Sequence, residues 1–91
     1  MDEIAKMRID HGAEFPWDAT DAWWESDPES GPKNPPPAAK DWAHAAARGI
    51  IADLTDRRGI KYGFNEVDEE VRIELVETLS AIIRTAAITP Y

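Results

Sequence analysis

The fold is decided by one stretch near the C-terminus, residues 68–87, with the sequence DEEVRIELVETLSAIIRTAA. On a helical wheel at about 100° per residue, its apolar side chains lie within about 60° of Leu79, and most of its charged ones lie opposite. The apolar set is Leu75, Val76, Leu79, Ile82, Ile83 and Ala86. This pattern predicts an amphipathic helix over 68–87, with Asp68, or alternatively Asn65, as its N-cap.

A second helical pattern covers residues 38–58. A stripe around Ile50 contains three alanines, so a neighbouring helix can approach closely there. The stripe consists of Ala43, Ala46, Ala47, Ile50 and Leu54. Gly59 is a natural C-terminal stop, and the connector at 60–67 is either an ordered loop or a brief extended stretch. We therefore predict an all-α protein built on a helical hairpin or small bundle.

The N-terminal third differs from these helices in its charge. Residues 1–31 contain nine acidic and two basic residues, whereas residues 32–91 contain nine acidic and eight basic residues. The net charge of -8 therefore comes almost entirely from the first third of the chain. Such a charge disfavours direct binding to nucleic acid or to an anionic membrane surface.

The chain of 91 residues is short enough for a single domain in three parts. We expect an acidic aromatic segment at 1–31, a stiff proline-rich spacer at 32–37 and the helical hairpin at 38–91. Within the first part, we predict a short helix over 2–10 that is ended by Gly12, and one or two helical turns at 18–25. That segment is therefore irregular and only partly helical.

Several classes of protein are disfavoured by composition. The chain has no cysteine, which excludes disulfides, thiolate zinc sites and a thiol nucleophile. The N-terminal residues are too polar for a signal peptide, and no apolar run approaches the ~20 residues of a membrane span. We expect a cytoplasmic protein.

Candidate chemistry is sparse. His11 and His44 are the only histidines, and neither has a second histidine at i+4 as metal sites on helices do. Nucleophile-elbow and phosphate-loop motifs are absent from the sequence. We interpret the charged residues around the end of the first long helix as a solvated surface: Asp53, Asp56, Arg57, Arg58 and Lys61. The sequence predicts no enzyme, no cofactor and no metal.

One basic row stands out on the helix at 38–58. Lys40, His44 and Arg48 are spaced four residues apart on its outer edge. Two interpretations are open: a solvated helix face, or a row that pairs with acids of the N-terminal segment.

The strongest candidate for a binding surface alternates aromatic rings with carboxylates near the N-terminus. Its residues are Glu14, Trp17, Asp18, Asp21, Trp23, Trp24, Glu25, Asp27 and Glu29. Such a surface suits a groove rimmed by Arg and Lys, because rings supply contact energy and acids steer the approach. Alternatively, the tryptophans cover the hairpin, and both can hold with rings inside and carboxylates outside.

Three stretches of the chain carry a family resemblance. They are WAHAAARGII at 42–51, DLTDRRGIK at 53–61 and VDEEVRIELVET at 67–78. These resemble small accessory proteins encoded in phage and prophage genomes. The resemblance implies an inhibitor of host defence in the host cytoplasm, of the anti-CRISPR type that occupies a nucleic-acid channel, and it implies no site residues.

Two functions follow as hypotheses. The first is a non-enzymatic inhibitor whose acidic, nucleic-acid-mimicking surface binds a basic protein surface, such as that of a CRISPR effector or another nucleic-acid-binding complex. The second is a dimeric helical module with a structural or regulatory role. Its candidate dimer contacts are Ile73 and Ile88, the two apolar residues outside the stripe of the last helix.

Overall fold

Five helices make up the part of the chain that the structure, a computed structural model, describes, namely residues 2–26 and 35–90. They are α1 (Glu3–Glu14), α2 (Asp21–Trp24), α3 (Trp42–Thr55), α4 (Lys61–Asn65) and α5 (Glu69–Ile88). The described residues contain no strand, and the predicted all-α class is confirmed. None of these helices combines the length and apolarity needed to cross a membrane.

The long helix α3 is central, because α1 and α5 both pack against it. It is shorter than the predicted helix at 38–58. Residues 35–39 lack regular structure because the prolines at 35–37 cannot donate to a helix and keep the chain extended. The helix begins after Asp41, whose carboxylate accepts the backbone N–H of His44 at 2.8 Å. Beyond its end, Gly59 has a φ of 81°, the left-handed conformation expected of a stop.

The predicted last helix matches α5 to within one residue at each end, and Asp68 is its N-cap. By contrast, the connector at 60–67 contains the short helix α4 and not a loop or an extended stretch. A tertiary contact accompanies this turn: the indole Nε1 of Trp17 donates to the carbonyl of Phe64 at 3.2 Å. The sequence of the connector alone does not predict this contact or the helix that accompanies it.

A pair of glycines lets α1 and α3 approach at backbone distance. A Cβ on Gly12 would lie 2.7 Å from the backbone carbon and oxygen of Arg48. On the facing helix, a Cβ on Gly49 would lie 3.0 Å from a side-chain carbon of Ile9. The helix predicted at 2–10 therefore runs through Gly12 to Glu14, because glycine is required there for packing and not as a stop.

The apolar core is thin and rich in alanine. Its buried members are Ala19, Ala43, Ala47, Ile51, Ala52 and Val76. The predicted stripes are rotated from the observed ones: Ile50 is 43% exposed and Ile82 is 58% exposed, whereas Ile51 is buried. The cause is that α3 is flanked by two helices and by the loop between α1 and α2. Its buried surface therefore includes Ala47, Ile51 and the polar residues His44 and Arg48.

Candidate partner-binding site

One arginine of α5 fastens the N-terminal segment to the helices. The Nε of Arg72 donates to the carbonyl of Trp17 at 3.0 Å, and its Nη2 donates to the carbonyl of Ala19 at 3.3 Å. Its Nη1 donates to the carbonyl of Val67 at 2.7 Å, and Nη2 also binds Oδ1 of Asp21 at 2.6 Å. A guanidinium is the one side chain that can serve four such acceptors. The segment around α2 is therefore held at the start of α5.

This docking brings acidic residues from distant parts of the chain to one end of the molecule. The backbone N–H of Asp21 donates to the Glu69 carboxylate at 2.5 Å, which places α2 beside the first turn of α5. We call the resulting group the acidic end: Asp21, Glu25, Glu66, Asp68, Glu69 and Glu70. Within the described residues, only Asp21 of this group forms an ion pair, and the side chains of Glu25, Glu66, Asp68 and Glu70 form no hydrogen bond either.

An aromatic pocket of about 370 Å³ lies at the acidic end. We define it by its lining: Trp17, Asp21, Trp24, Phe64, Asn65, Val67 and Arg72. The Trp17 and Phe64 rings meet edge to face with centroids 5.4 Å apart, and the Trp24 ring meets Trp23 in the same manner at 4.8 Å. Trp24 is 37% exposed. Ring faces beside a carboxylate form a suitable receptor for the stem and cationic head of an Arg or Lys side chain.

The predicted binding residues have different fates in the structure. Glu14, Glu25 and Asp21 are exposed, as is part of the Trp24 ring, and Trp23 is half-buried. Asp27 and Glu29 lie outside the described residues. Trp17 follows the alternative interpretation, because its ring packs on Phe64 and its indole N–H is used internally.

Asp18 requires a correction. The prediction placed its carboxylate outside, but the side chain is only 14% exposed and binds Nε of Arg48 at 2.7 Å. The physical reason is that Arg48 is buried in α3, and a buried guanidinium needs an anionic partner. Asp18 therefore serves the fold and is not free to bind a partner.

The basic row is solvated only at Lys40, which precedes α3, because His44 and Arg48 are buried. Arg48 pairs with an acid of the N-terminal segment, as one interpretation proposed, whereas Lys40 binds Glu77 of α5 at 2.5 Å. The buried His44 ring lies between two carboxylates, with Nδ1 2.8 Å from Asp41 and Nε2 3.2 Å from Glu77. The row thus joins the N-terminal part of α3 to α5 and to the loop before α2.

The carboxylates around His44 are held in their ionised form. The hydrogen bond from the His44 side chain, with that from its backbone N–H, lowers the pKa of Asp41 to about 2. Arg84 adds to this from 2.6 Å away. Hydrogen bonds from Lys40 first and His44 second lower the pKa of Glu77. These are the shifts expected of carboxylates bound to donors.

The same cluster contains the residue types of a hydrolase triad. The Ser80 Oγ lies 3.4 Å from Nε2 of His44, whose Nδ1 contacts Asp41. However, Ser80 is fully buried, and its hydroxyl donates to the backbone carbonyl of Glu77 at 2.8 Å. A nucleophile must reach its substrate, and this hydroxyl cannot. The cluster is best explained as a buried polar contact between α3 and α5.

The charged cluster at the end of α3 ties down α1. Arg8 of α1 binds Asp53 at 3.2 Å and Asp56 at 3.0 Å, and Arg57 binds Asp53 at 2.9 Å. The hydrogen bond from Arg57 lowers the pKa of Asp53. In the described part of the chain, no three His, Asp or Glu side chains converge in a way that holds a metal ion.

Sequence reasoning missed the residues that build the pocket from the C-terminal half. Arg72 carried a signal, since it lies only about 20° from Leu79 on the helical wheel, inside the apolar stripe. A base in that position predicts a buried ion pair or carbonyl contacts. The sequence gives no such signal for Phe64, Glu66 and Val67, because their position depends on the docking of Trp17.

No protein-family model, no curated protein and no solved structure matches the chain. Its function is therefore argued from the geometry and charge of the acidic end. The resemblance to phage-encoded accessory proteins rests on the three sequence stretches alone and stays a prediction.

Proposed function

We propose that this protein binds a basic surface of another protein through its acidic end and aromatic pocket, and that it thereby blocks a nucleic-acid-binding complex. This is the non-enzymatic inhibitor hypothesis with a different set of contact residues. Glu25, Glu66, Asp68 and Glu70 supply the free charge, and Trp24 lines the pocket.

One observation carries the proposal: most basic side chains are paired with carboxylates inside the protein, whereas many carboxylates have no basic partner. Of the ten Lys and Arg side chains in the sequence, seven bind carboxylates of the described residues. They are Lys6, Arg8, Lys40, Arg48, Arg57, Arg72 and Arg84. The net charge of the chain is -8, and five of the described acids that form no ion pair belong to the acidic end. A field of one sign steers a basic partner to that end.

The aromatic pocket gives this attraction a point of attachment. A partner's Arg or Lys inserts its aliphatic stem between Trp24 and Val67, and its cationic head reaches Oδ2 of Asp21, the oxygen that Arg72 does not bind. Arg72 does not compete for that oxygen, because it binds the other one and three carbonyls. A cation on a Trp face contributes about 0.5–2 kcal/mol, so one anchored side chain changes affinity measurably.

The partner class follows from where basic surfaces are concentrated in cells. Nucleic-acid-binding complexes carry grooves lined by Lys and Arg that accept a regularly spaced negative charge. A protein with carboxylates spaced around flat rings competes for such a groove. The anti-CRISPR type of phage inhibitor fits this description, so a CRISPR effector is the first partner to test.

The test is a competition assay. Labelled nucleic acid is bound to each of a panel of purified nucleic-acid-binding complexes, CRISPR effectors included, and the protein is titrated in. We expect at least one complex to release its nucleic acid, and Glu25→Gln/Glu66→Gln to weaken the release. The double variant Glu3→Gln/Asp10→Asn, which removes the same charge from α1, serves as the matched control. Equal inhibition by both variants would refute the acidic end as the contact.

A further inference from the structure

A second exposed surface runs along α5, from the first turn beside the acidic end towards the C-terminus of the helix. Its apolar residues recur every three or four positions, which places them on one side of the helix. We call them the α5 strip: Val71, Leu75, Leu79, Ile82 and Ala86. Val71 is 48% exposed, and Leu75 and Leu79 are half-buried. The hollow beside Val71 and Leu75 is completed by Glu74 and Thr78.

The strip lies away from the side of α5 that packs on α3. The side of α5 that packs on α3 is marked by Val76 and Ser80, both fully buried, and the strip is centred about 100° away from Val76 around the helix axis. A 20-residue helix is about 30 Å long, so the strip is a long apolar ridge at the edge of the fold. Soluble monomers rarely leave such a ridge uncovered.

We propose that the α5 strip is a homodimer interface in which two copies of α5 pair antiparallel, with the two-fold axis between residues 78 and 79. Val71 then lies opposite Ala86 of the partner subunit, and Leu75 lies opposite Ile82 of the partner subunit. Both contacts join apolar side chains, and Leu79 lies beside the axis, next to its own copy. Every member of the strip is therefore covered. A symmetric pair of this kind uses the same surface twice and closes on itself.

The distribution of charge along α5 favours a second copy bound in the antiparallel orientation. The acids of α5 lie in its first half, at Glu69, Glu70, Glu74 and Glu77, and its second half has one charged residue, Arg84. In a parallel pair, Glu74 would face Glu74 of the partner subunit beside the strip. In the antiparallel pair it faces the second half, whose one charged residue is the basic Arg84, and the two acidic ends lie at opposite ends of the dimer. Two chains of charge -8 repel least in that arrangement.

The two isoleucines that the sequence predicts as dimer contacts lie elsewhere. Ile88 is 86% exposed and Ile73 is 37% exposed, but both lie on the side of α5 opposite the strip. Neither continues a row of exposed apolar residues. They are suitable control positions for that reason.

Sedimentation equilibrium over a wide concentration range tests the interface. The expected results are a dimer for the unmodified chain, a monomer for Ile82→Lys and a dimer for the control Ile88→Lys. A buried lysine at the centre of so small an interface raises the dimer dissociation constant by about 100-fold or more. A monomeric unmodified chain would overturn the proposal. So would dissociation by Ile50→Lys with Ile82→Lys still dimeric, because Ile50 lines the groove between α1 and α3.

Cysteine cross-linking tests the orientation, and the absence of native cysteine makes it clean. A mixture of Val71→Cys and Ala86→Cys chains should form the mixed disulfide. Ala86→Cys alone should not, because the two copies of residue 86 are roughly 20 Å apart in the antiparallel pair, beyond the ~7 Å reach of a disulfide. Cross-linking of Ala86→Cys alone would overturn the antiparallel arrangement.

Discussion

Arg48 and Asp18 form an ion pair that is almost completely shielded from solvent, with Nε and Oδ1 2.7 Å apart. The same guanidinium donates to the carbonyl of Pro37 at 2.8 Å. One side chain of α3 thereby holds both the loop before α2 and the last residue of the proline-rich spacer. The N-terminal segment is consequently part of the same packed unit as the hairpin.

Breaking this pair should destabilise the protein strongly. Asp18→Ala leaves a buried guanidinium without its anion, and we expect the free energy of unfolding to fall by about 3–5 kcal/mol. Urea denaturation followed by circular dichroism measures it. Asp10→Ala, which removes an equivalent but exposed partner from Lys6, should leave the unfolding midpoint unchanged. Equal effects from the two variants would show that burial of the Arg48 pair is not what matters.

The crossing of α1 and α3 should not tolerate a methyl group at Gly12. The new Cβ meets backbone atoms of Arg48 that cannot move aside, so Gly12→Ala should cost about 1–3 kcal/mol of stability. Gly63→Ala is the control, because a Cβ on Gly63 would have no atom within 4 Å and alanine favours the helix α4. We expect Gly63→Ala to be neutral or slightly stabilising in thermal unfolding. A stable Gly12→Ala variant would contradict the close crossing.

Stability should fall on acidification through the carboxylates near His44. Asp41 has a folded-state pKa of about 2 against an ordinary value of 3.8, and the pKa of Glu77 is lowered in the same direction. Folding therefore keeps both ionised while the unfolded chain takes up protons. Their stabilisation is complete above about pH 5 and is lost as the pH falls towards 2.

Asp41→Asn separates this effect from helix capping. Asparagine caps α3 as well as aspartate does but carries no charge. We expect a flatter profile of unfolding free energy between pH 5 and about 2 than in the unmodified chain. Glu70→Gln, which removes a carboxylate without an ion pair among the described residues, should leave the profile unchanged. An unaltered profile in Asp41→Asn would count against the assignment.

Binding of an arginine-rich peptide should report on the pocket through tryptophan fluorescence. Trp17 and Trp24 line the pocket, so occupancy should change their emission. Trp24→Ala should weaken the peptide by about tenfold, consistent with one lost contact between cation and ring. Glu25→Gln/Glu66→Gln should lower both the affinity and its dependence on salt. Ile82→Lys should bind the peptide normally, so failure of the dimer proposal and failure of the binding proposal are distinguishable.

The sequence predicts the helices where periodicity and caps agree. The all-α class, the extent of α5 and the stop at Gly59 follow from local chemistry that tertiary contacts leave intact. The buried faces do not follow in the same way. A wheel centred on Ile50 assumes one neighbour, whereas α3 has α1 on one side and α5 on another, so Ile51, His44 and Arg48 are buried in its place.

Only half of the candidate site can be predicted from the sequence. The acids and rings of α2 are visible as a cluster in the sequence, and Trp24 and Glu25 remain in the site. The other half comes from residues about 40 to 50 positions later, and it is brought there by Arg72 and by the contact between Trp17 and Phe64. Long-range docking of this kind leaves no periodic trace, apart from a charged residue placed inside an apolar stripe.

The Arg72 contacts also fix an order of events during synthesis. When α1 and α3 have left the ribosome they already hold the partners for their crossing, Gly12 and Gly49. Residues 17–21 do not, because the guanidinium that binds three groups among them belongs to α5, which emerges after α1 and α3. The acidic end thus takes its shape only after Arg72 has left the ribosome. A nascent chain whose Arg72 is still inside the ribosome does not yet present the finished pocket.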